Sequence, residues 1–179
     1  MENEKFISEI VANVIASMEK DGKKCEMNQK GVFDTMEEAL AAVDKAYKEY
    51  KSYSVAQREK MISKIREYTL CEAENLAKLG VEETGMGKVS DKIIKHRLVA
   101  EKTPGTEDLQ PKALTGDMGL TLIEPSPFGV IGSITPSTNP SETVICNSIG
   151  MIAGGNGVVF NPHPHAKKTA NYAVDMVNK

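Results

Sequence analysis

The amino-acid sequence predicts an α/β fold, with a helical front section followed by the opening strands of a parallel sheet. Three observations carry this. Capping boxes and helically spaced apolar residues fill most of residues 33–103. Two short apolar runs, FGVIGSIT and GVVFN, each lead into a proline-rich loop and then a helical pattern, and strand, helix, strand, helix is the order of a parallel sheet. The 179 residues, 40% of them hydrophobic and 26% charged, leave room for about one domain with an ordinary core.

Taken in order, residues 1–20 place Ile7, Ile10, Val11, Val14, Ile15 and Met18 at the spacing of a short amphipathic helix. Residues 21–32, polar and without apolar period, read as a flexible linker. The helix is either a docking element on a tether or a stripe that packs back on the core. Its acidic polar face speaks against a membrane surface and against a mitochondrial address. Thr35 with Glu38 and Ser54 with Gln57 form two capping-box patterns, each opening a helix. The first helix carries Met36, Leu40, Val43 and Tyr47. The second carries Met61, Ile62 and Ile65, then a further helical stretch with Leu76, Leu79 and Val81 that Gly85 and Gly87 stop. Another helix starts at Ser90 or Asp91, carries Ile93, Ile94, Arg97 and Leu98, and ends before Pro104, because proline disfavours helical geometry in its predecessor. Over residues 109–128, Leu120 and Leu122 sit in β-prone stretches divided by Pro125 and Pro127, which predicts a strand or hairpin arm. FGVIGSIT is a strand. The helix after Pro140 bears Val144, Ile145, Ile149 and Ile152 and stops at Gly154 and Gly155. GVVFN, a loop over residues 162–165 and a helix with Ala166, Ala170, Ala173, Val174 and Val177 follow.

Two parallel strands cannot keep both faces of a doubly wound sheet dry, and no glycine cap ends the last helix at Lys179. The sheet is therefore expected to be incomplete in these residues. Net charge −3 with interspersed Lys and Glu gives no basic footprint for nucleic acid. Cys25, Cys71 and Cys146 form no CxxC pair, which argues for a reducing compartment and against a disulfide framework or a zinc site. No apolar run approaches the roughly 20 residues of a membrane helix.

The loop TPSTNP after the first parallel strand is the leading candidate for chemistry, because ligands bind outside the carboxyl ends of strands in open α/β sheets. Asn139 can present an amide to a developing oxyanion, a contact worth roughly 10²–10³ in rate. Equally, Asn139, Pro140 and Glu142 spell a helix start, with cap, first turn and acid in order. The loop NPHPHA borders the same place, where His163 can stack on or hydrogen-bond a nucleotide base. His163 and His165 make a weak metal pair without a third ligand nearby in sequence, and no metal is expected. The usual phosphate-binding glycine patterns are missing, so a dinucleotide has to be held in another way. Cys71 and Cys146 read as buried, inert thiols within helices.

The strings EETGMGKVSDKIIKH, EKTPGTEDL and EPSPFGVIGSITPSTNPSETVICNSIGMIAGGNGVVFNPHP together resemble the CoA-acylating aldehyde dehydrogenases of propanediol and ethanolamine utilisation, over roughly residues 31–179. The resemblance implies an aldehyde dehydrogenase-like fold with a Rossmann-like cofactor domain. Residues 33–179 would supply its N-terminal part, with an oligomerisation hairpin near residues 109–128. It implies conversion of a short aldehyde, acetaldehyde or propionaldehyde, with NAD and coenzyme A into acyl-CoA and NADH through a cysteine thioester, in a homo-oligomer. None of the three cysteines falls at the family's nucleophile position, so the chain alone is expected to be inactive. An ungapped match to the broader family's Pro-Trp-Asn-Phe-Pro loop puts Thr138 on its Asn and Asn139 on its Phe, leaving both as candidates for the oxyanion contact. The Lys-Pro-Ser-Glu loop matches with Asn161 on its Lys and Pro164 on its Glu. Thr135, Pro136, Ser137, Thr138, Pro162, His163 and Pro164 are then the implied cofactor contacts, with His163 and its prolines toward adenosine. Members from bacterial microcompartments carry a similar tethered helix that docks them to shell protein. That implies the same role for residues 1–20 and a place in the bacterial cytoplasm, inside a microcompartment. The rival expectation is a non-catalytic truncated module acting in shell docking or assembly.

Overall fold

The computed structural model describes residues 30–179, so the helix expected over residues 1–20 and nearly all of the linker lie outside the described residues. Residues 30 and 31 are in contact with the C-terminal helix region. The Lys30 N–H donates to Asp175 Oδ1 at 2.8 Å, and Gly31, at φ +71, lies where any side chain would collide with Asn178.

Helices α1 (Met36–Tyr50) and α2 (Val55–Thr84) open on the two predicted capping boxes, and in each the reciprocal pair of bonds forms. The two stretches expected after Ser54 are one continuous helix of 30 residues, closed by Gly85 in the left-handed region at φ +67. α3 (Val89–Lys102) starts a residue or two ahead of its expected cap and ends at Thr103, just before Pro104. Its inward face is polar. Ile94 and Leu98 stand 66% and 56% exposed, while Lys92, His96 and Ala100 face inward.

A short 3-10 turn (Thr106–Asp108) leads to the predicted hairpin, in which β1 (Lys112–Gly116) and β2 (Gly119–Ile123) pair antiparallel with every residue exposed. Then come β3 (Val130–Thr135), α4 (Pro140–Ala153), β4 (Gly157–Pro162), a second 3-10 turn (Pro164–Ala166) and α5 (Lys167–Val177). β3 and β4 pair in parallel with Val130 opposite Gly157. The core lies where α2, α4 and α5 converge: Ile62, Ile65 and Leu76 meet Val144, Ile145, Ile149, Ala173 and Met176. Cys71 and Cys146 are both exposed, against expectation. Cys71 sits on the far side of its helix from Thr69 and Ala73, and Cys146 lies off the edge of the inward stripe that holds Ile145 and Ile149.

α1 buries no residue fully. Its Met36, Val43 and Tyr47 line one wall of a groove of about 1030 Å³, opposite Val158, Phe160 and Val174. β4 lines the groove along its whole length and β3 does not, so it follows the side of β4 left unpaired among the described residues.

One long-range contact sets the start of α5. The Glu83 carboxylate, on α2, accepts the Lys168 N–H at 2.8 Å and the N–H and hydroxyl of Thr169 at 2.7 Å each. First-turn N–H groups have no partner within their own helix and favour negative charge. Glu83→Ala is expected to lower unfolding free energy by about 1–2 kcal/mol, seen in urea as a lower midpoint at unchanged slope. A shift within experimental error would contradict this role.

Candidate functional site

The carboxyl ends of β3 and β4 lie side by side. Thr135 is in register with Pro162, and the ladder runs one residue further through the His163 N–H, which donates to the Thr135 carbonyl at 3.0 Å. The two loops singled out in the sequence therefore border one place. Thr135 is buried and its hydroxyl has no hydrogen-bond partner. Pro136, Thr138, His163 and Pro164 are exposed, and Ser137, Asn139 and Pro162 half-buried. His163 Nδ1 accepts the His165 N–H at 3.2 Å, and the two rings meet edge to face at 5.3 Å. Among the described residues no cluster of three acidic, His or Cys side chains could hold a metal ion.

The start of α4 departs from the capping pattern. Pro140 takes the first turn as expected, but the Asn139 side chain makes no cap bond. Its Oδ1 instead accepts from Lys95 Nζ at 3.0 Å. The Asn139 carbonyl accepts the N–H and hydroxyl of Thr143 at 3.0 and 2.7 Å, closing the first turn. Glu142, read as the acid of that turn, is buried against Lys92 Nζ at 3.3 Å, and the same ammonium donates to the Thr138 carbonyl at 2.9 Å. Local sequence at Asn139 and Glu142 spells a cap, but the cations of α3 outcompete the backbone for both side chains.

His96 completes the network. Its Nδ1 lies 2.7 Å from the Lys92 carbonyl; a carbonyl only accepts, so Nδ1 carries the proton and Nε2 accepts from the Ser141 hydroxyl at 2.8 Å. Ser141 Oγ is also 3.2 Å from Glu142 Oε2. These bonds explain why α3 turns its polar side inward, since each inward-facing group finds a partner in the β3–α4 loop or the first turn of α4. Lys92 and His96 were missed in the sequence. The signal available was their four-residue spacing, continued by Ala100.

The model of the aldehyde dehydrogenase family matches residues 14–179. The chain belongs to the aldehyde dehydrogenase family. The acetylating acetaldehyde dehydrogenase of Bilophila wadsworthia is 54% identical over 87% of this chain and 32% of its own length. The acetylating acetaldehyde dehydrogenase EutE of Escherichia coli is 46% identical over 99% of this chain and 38% of its own. The chain thus spans about a third of the length of these relatives. Among solved structures, a propionaldehyde dehydrogenase from the fucose utilisation microcompartment of Clostridium phytofermentans is similar at 62% identity and a TM-score of 0.79, over 82% of this chain and 34% of that one. The Rhodopseudomonas palustris propionaldehyde dehydrogenase with bound CoA and an acylated cysteine matches at 50% identity and 0.78, with the same coverages. An engineered glycolyl-CoA reductase with bound NADP+ matches at 49% and 0.78, again over 82% and 34%. The family fold expected from the sequence, a helical front section with a partial Rossmann-like parallel sheet, is the fold observed.

Burial holds the His96 imidazole below its ordinary 6.5, against an opposing pull from Glu142. The unfolded chain therefore binds this proton more readily than the folded one, and stability is lost as pH falls below the ordinary histidine range, with a slope of at most about 1.4 kcal/mol per pH unit. Between about pH 7.5 and 5.5, the native chain is expected to lose more thermal stability than His96→Gln. Equal losses in the two would contradict this assignment.

Proposed function

We propose that the chain forms the N-terminal, cofactor-binding part of a CoA-acylating aldehyde dehydrogenase acting on a short aldehyde, acetaldehyde or propionaldehyde, with NAD and coenzyme A. The observation that carries the proposal is the meeting of Thr135 and His163 at the strand ends. We assign this place to the adenosine of a dinucleotide or of CoA. An exposed imidazole flanked by Pro162 and Pro164 offers a stacking surface, and the buried Thr135 hydroxyl is left without a partner. Pro136, Ser137 and Thr138, in the neighbouring loop, are further contacts of the adenosine in this reading. No glycine-rich loop occurs and the Glu83 carboxylate already occupies the start of α5, so the phosphates of such a ligand are held elsewhere. NAD supplies the hydride acceptor when bound. Asn139, or Thr138, donates a hydrogen bond to the developing oxyanion.

In this reading the nucleophilic cysteine lies outside residues 1–179, because none of Cys25, Cys71 and Cys146 falls at the family's nucleophile position. A further strand fits the groove beside β4, and the hairpin is an oligomer contact. Its Leu114 and Ile123 lie on one face and Leu120 and Leu122 on the other, all half exposed or more. A two-stranded ribbon is marginal without such cover. Residues 1–20 dock the enzyme to a microcompartment shell protein in the bacterial cytoplasm, a role supported by the amphipathic pattern and by the microcompartment origin of the similar Clostridium enzyme.

A chimera in which this chain replaces the matching segment of the E. coli acetylating enzyme is expected to form NADH only with both aldehyde and CoA, while residues 1–179 alone form none. Turnover by the chain alone would overturn the placement of the nucleophile; a folded but inactive chimera would overturn the functional reading. Residues 1–20 fused to a fluorescent reporter should give foci in compartment-producing cells, and diffuse fluorescence would sink the docking role.

A further inference from the structure

We infer that α3 is a clamp on the loop between β3 and α4, and that Lys95 is a positioning residue that fixes which end of the Asn139 carboxamide is offered to a ligand. The inference rests on the reading of that loop as the oxyanion side of an aldehyde site.

Lys92, Lys95 and His96 stand at i, i+3 and i+4 and so share one face of α3. From that face each reaches a different part of one short segment. Lys92 holds the Thr138 carbonyl and the Glu142 carboxylate, Lys95 holds Asn139 Oδ1, and His96 holds Ser141 Oγ. The remaining residue of the segment, Pro140, is fully buried and has a ring-fixed φ. One helical turn thus addresses the whole of residues 138–142.

The chemistry of the Lys95 contact decides its consequence. An ammonium group only donates, so the carboxamide must turn its oxygen to Lys95, and the NH₂ group becomes the end left for another partner. Those two N–H groups are what an oxyanion needs. Released from Lys95, the carboxamide is free to turn about its last torsion, whose wells are broad and roughly two-fold, and to present the oxygen, which repels negative charge. Thr138 contributes its carbonyl to the clamp, and its hydroxyl carries no such constraint. The geometry therefore assigns the donor role to Asn139 over Thr138.

The test has a structural and a kinetic arm. In the ¹⁵N-labelled chain, Lys95→Met is expected to shift the side-chain NH₂ resonances of Asn139 and leave those of Asn147, which lies about two turns further along α4 and donates to Ser133, in place. Lys95→Arg keeps the Asn139 signals near their native positions. Unmoved Asn139 signals in K95M overturn the clamp. In the chimera, N139A is expected to lower kcat roughly 10²–10³-fold and K95M about 3–10-fold at unchanged KM for CoA, a part of the same effect. K95R retains most of kcat, and the double variant is no slower than N139A. A loss in N139A with none in K95M overturns the positioning role and leaves the oxyanion reading standing; no loss in N139A overturns that reading.

Discussion

The ion pair between Lys92 and Glu142 is the constraint around which the candidate site is organised. Both side chains are almost wholly buried, at 4% and 6% exposure. At 3.3 Å their attraction is about 5 kcal/mol for an effective permittivity of about 20, the same order as the several kcal/mol lost in desolvating each ion. The pair therefore adds little net stability. What it does is specify, because leaving either charge buried alone costs about 3–5 kcal/mol. α3 must lie where Lys92 meets α4, and the extra donation to the Thr138 carbonyl carries that placement into the loop. The exposure of Ile94 and Leu98 follows as a consequence, since turning them inward would expel the pair.

The parallel β3–β4 ladder does for the two loops what the ion pair does for one. Hydrogen bonding to the level of His163 and Thr135 brings both loops off the sheet at the same height, so residues far apart in the chain become neighbours at the strand ends by backbone geometry alone. Thr135 is buried at the end of β3 with an unused hydroxyl. Asn147, bonded to Ser133, ties α4 to the same strand, and Tyr50, donating to the Ile152 carbonyl, ties α1 to the far end of α4. Rigid elements thus carry a site made of loop residues.

What could be read from the sequence was local. Thr35 with Glu38 and Ser54 with Gln57 needed only three-residue spacing to announce α1 and α2, and Gly85 and Pro104 needed only their own backbone limits to end α2 and α3. The parallel strands were legible because β-prone runs alternated with helical patterns, and that order also brought the two candidate loops to one edge of the sheet. What failed depended on partners far away in the chain. Asn139 and Glu142 have the form of a cap, but Lys95 and Lys92 lie 44 and 50 residues earlier. The inward face of α3 was not legible either, because a set of satisfied polar groups there outweighs the apolar Ile94 and Leu98. Cys71 and Cys146 were read from neighbours such as Ile145, although adjacent helical residues point about 100° apart.

The cap that Glu83 places on α5 also orders events in time. Glu83 precedes Thr169 by 86 residues, so at bacterial and eukaryotic elongation rates the acid leaves the ribosome roughly 4–17 s before the helix it serves. α2 can close with its own capping box and glycine stop in that interval. The first turn of α5 is then completed by docking onto a preformed surface, so the C-terminal helix of the described chain nucleates from tertiary structure and not from its own sequence.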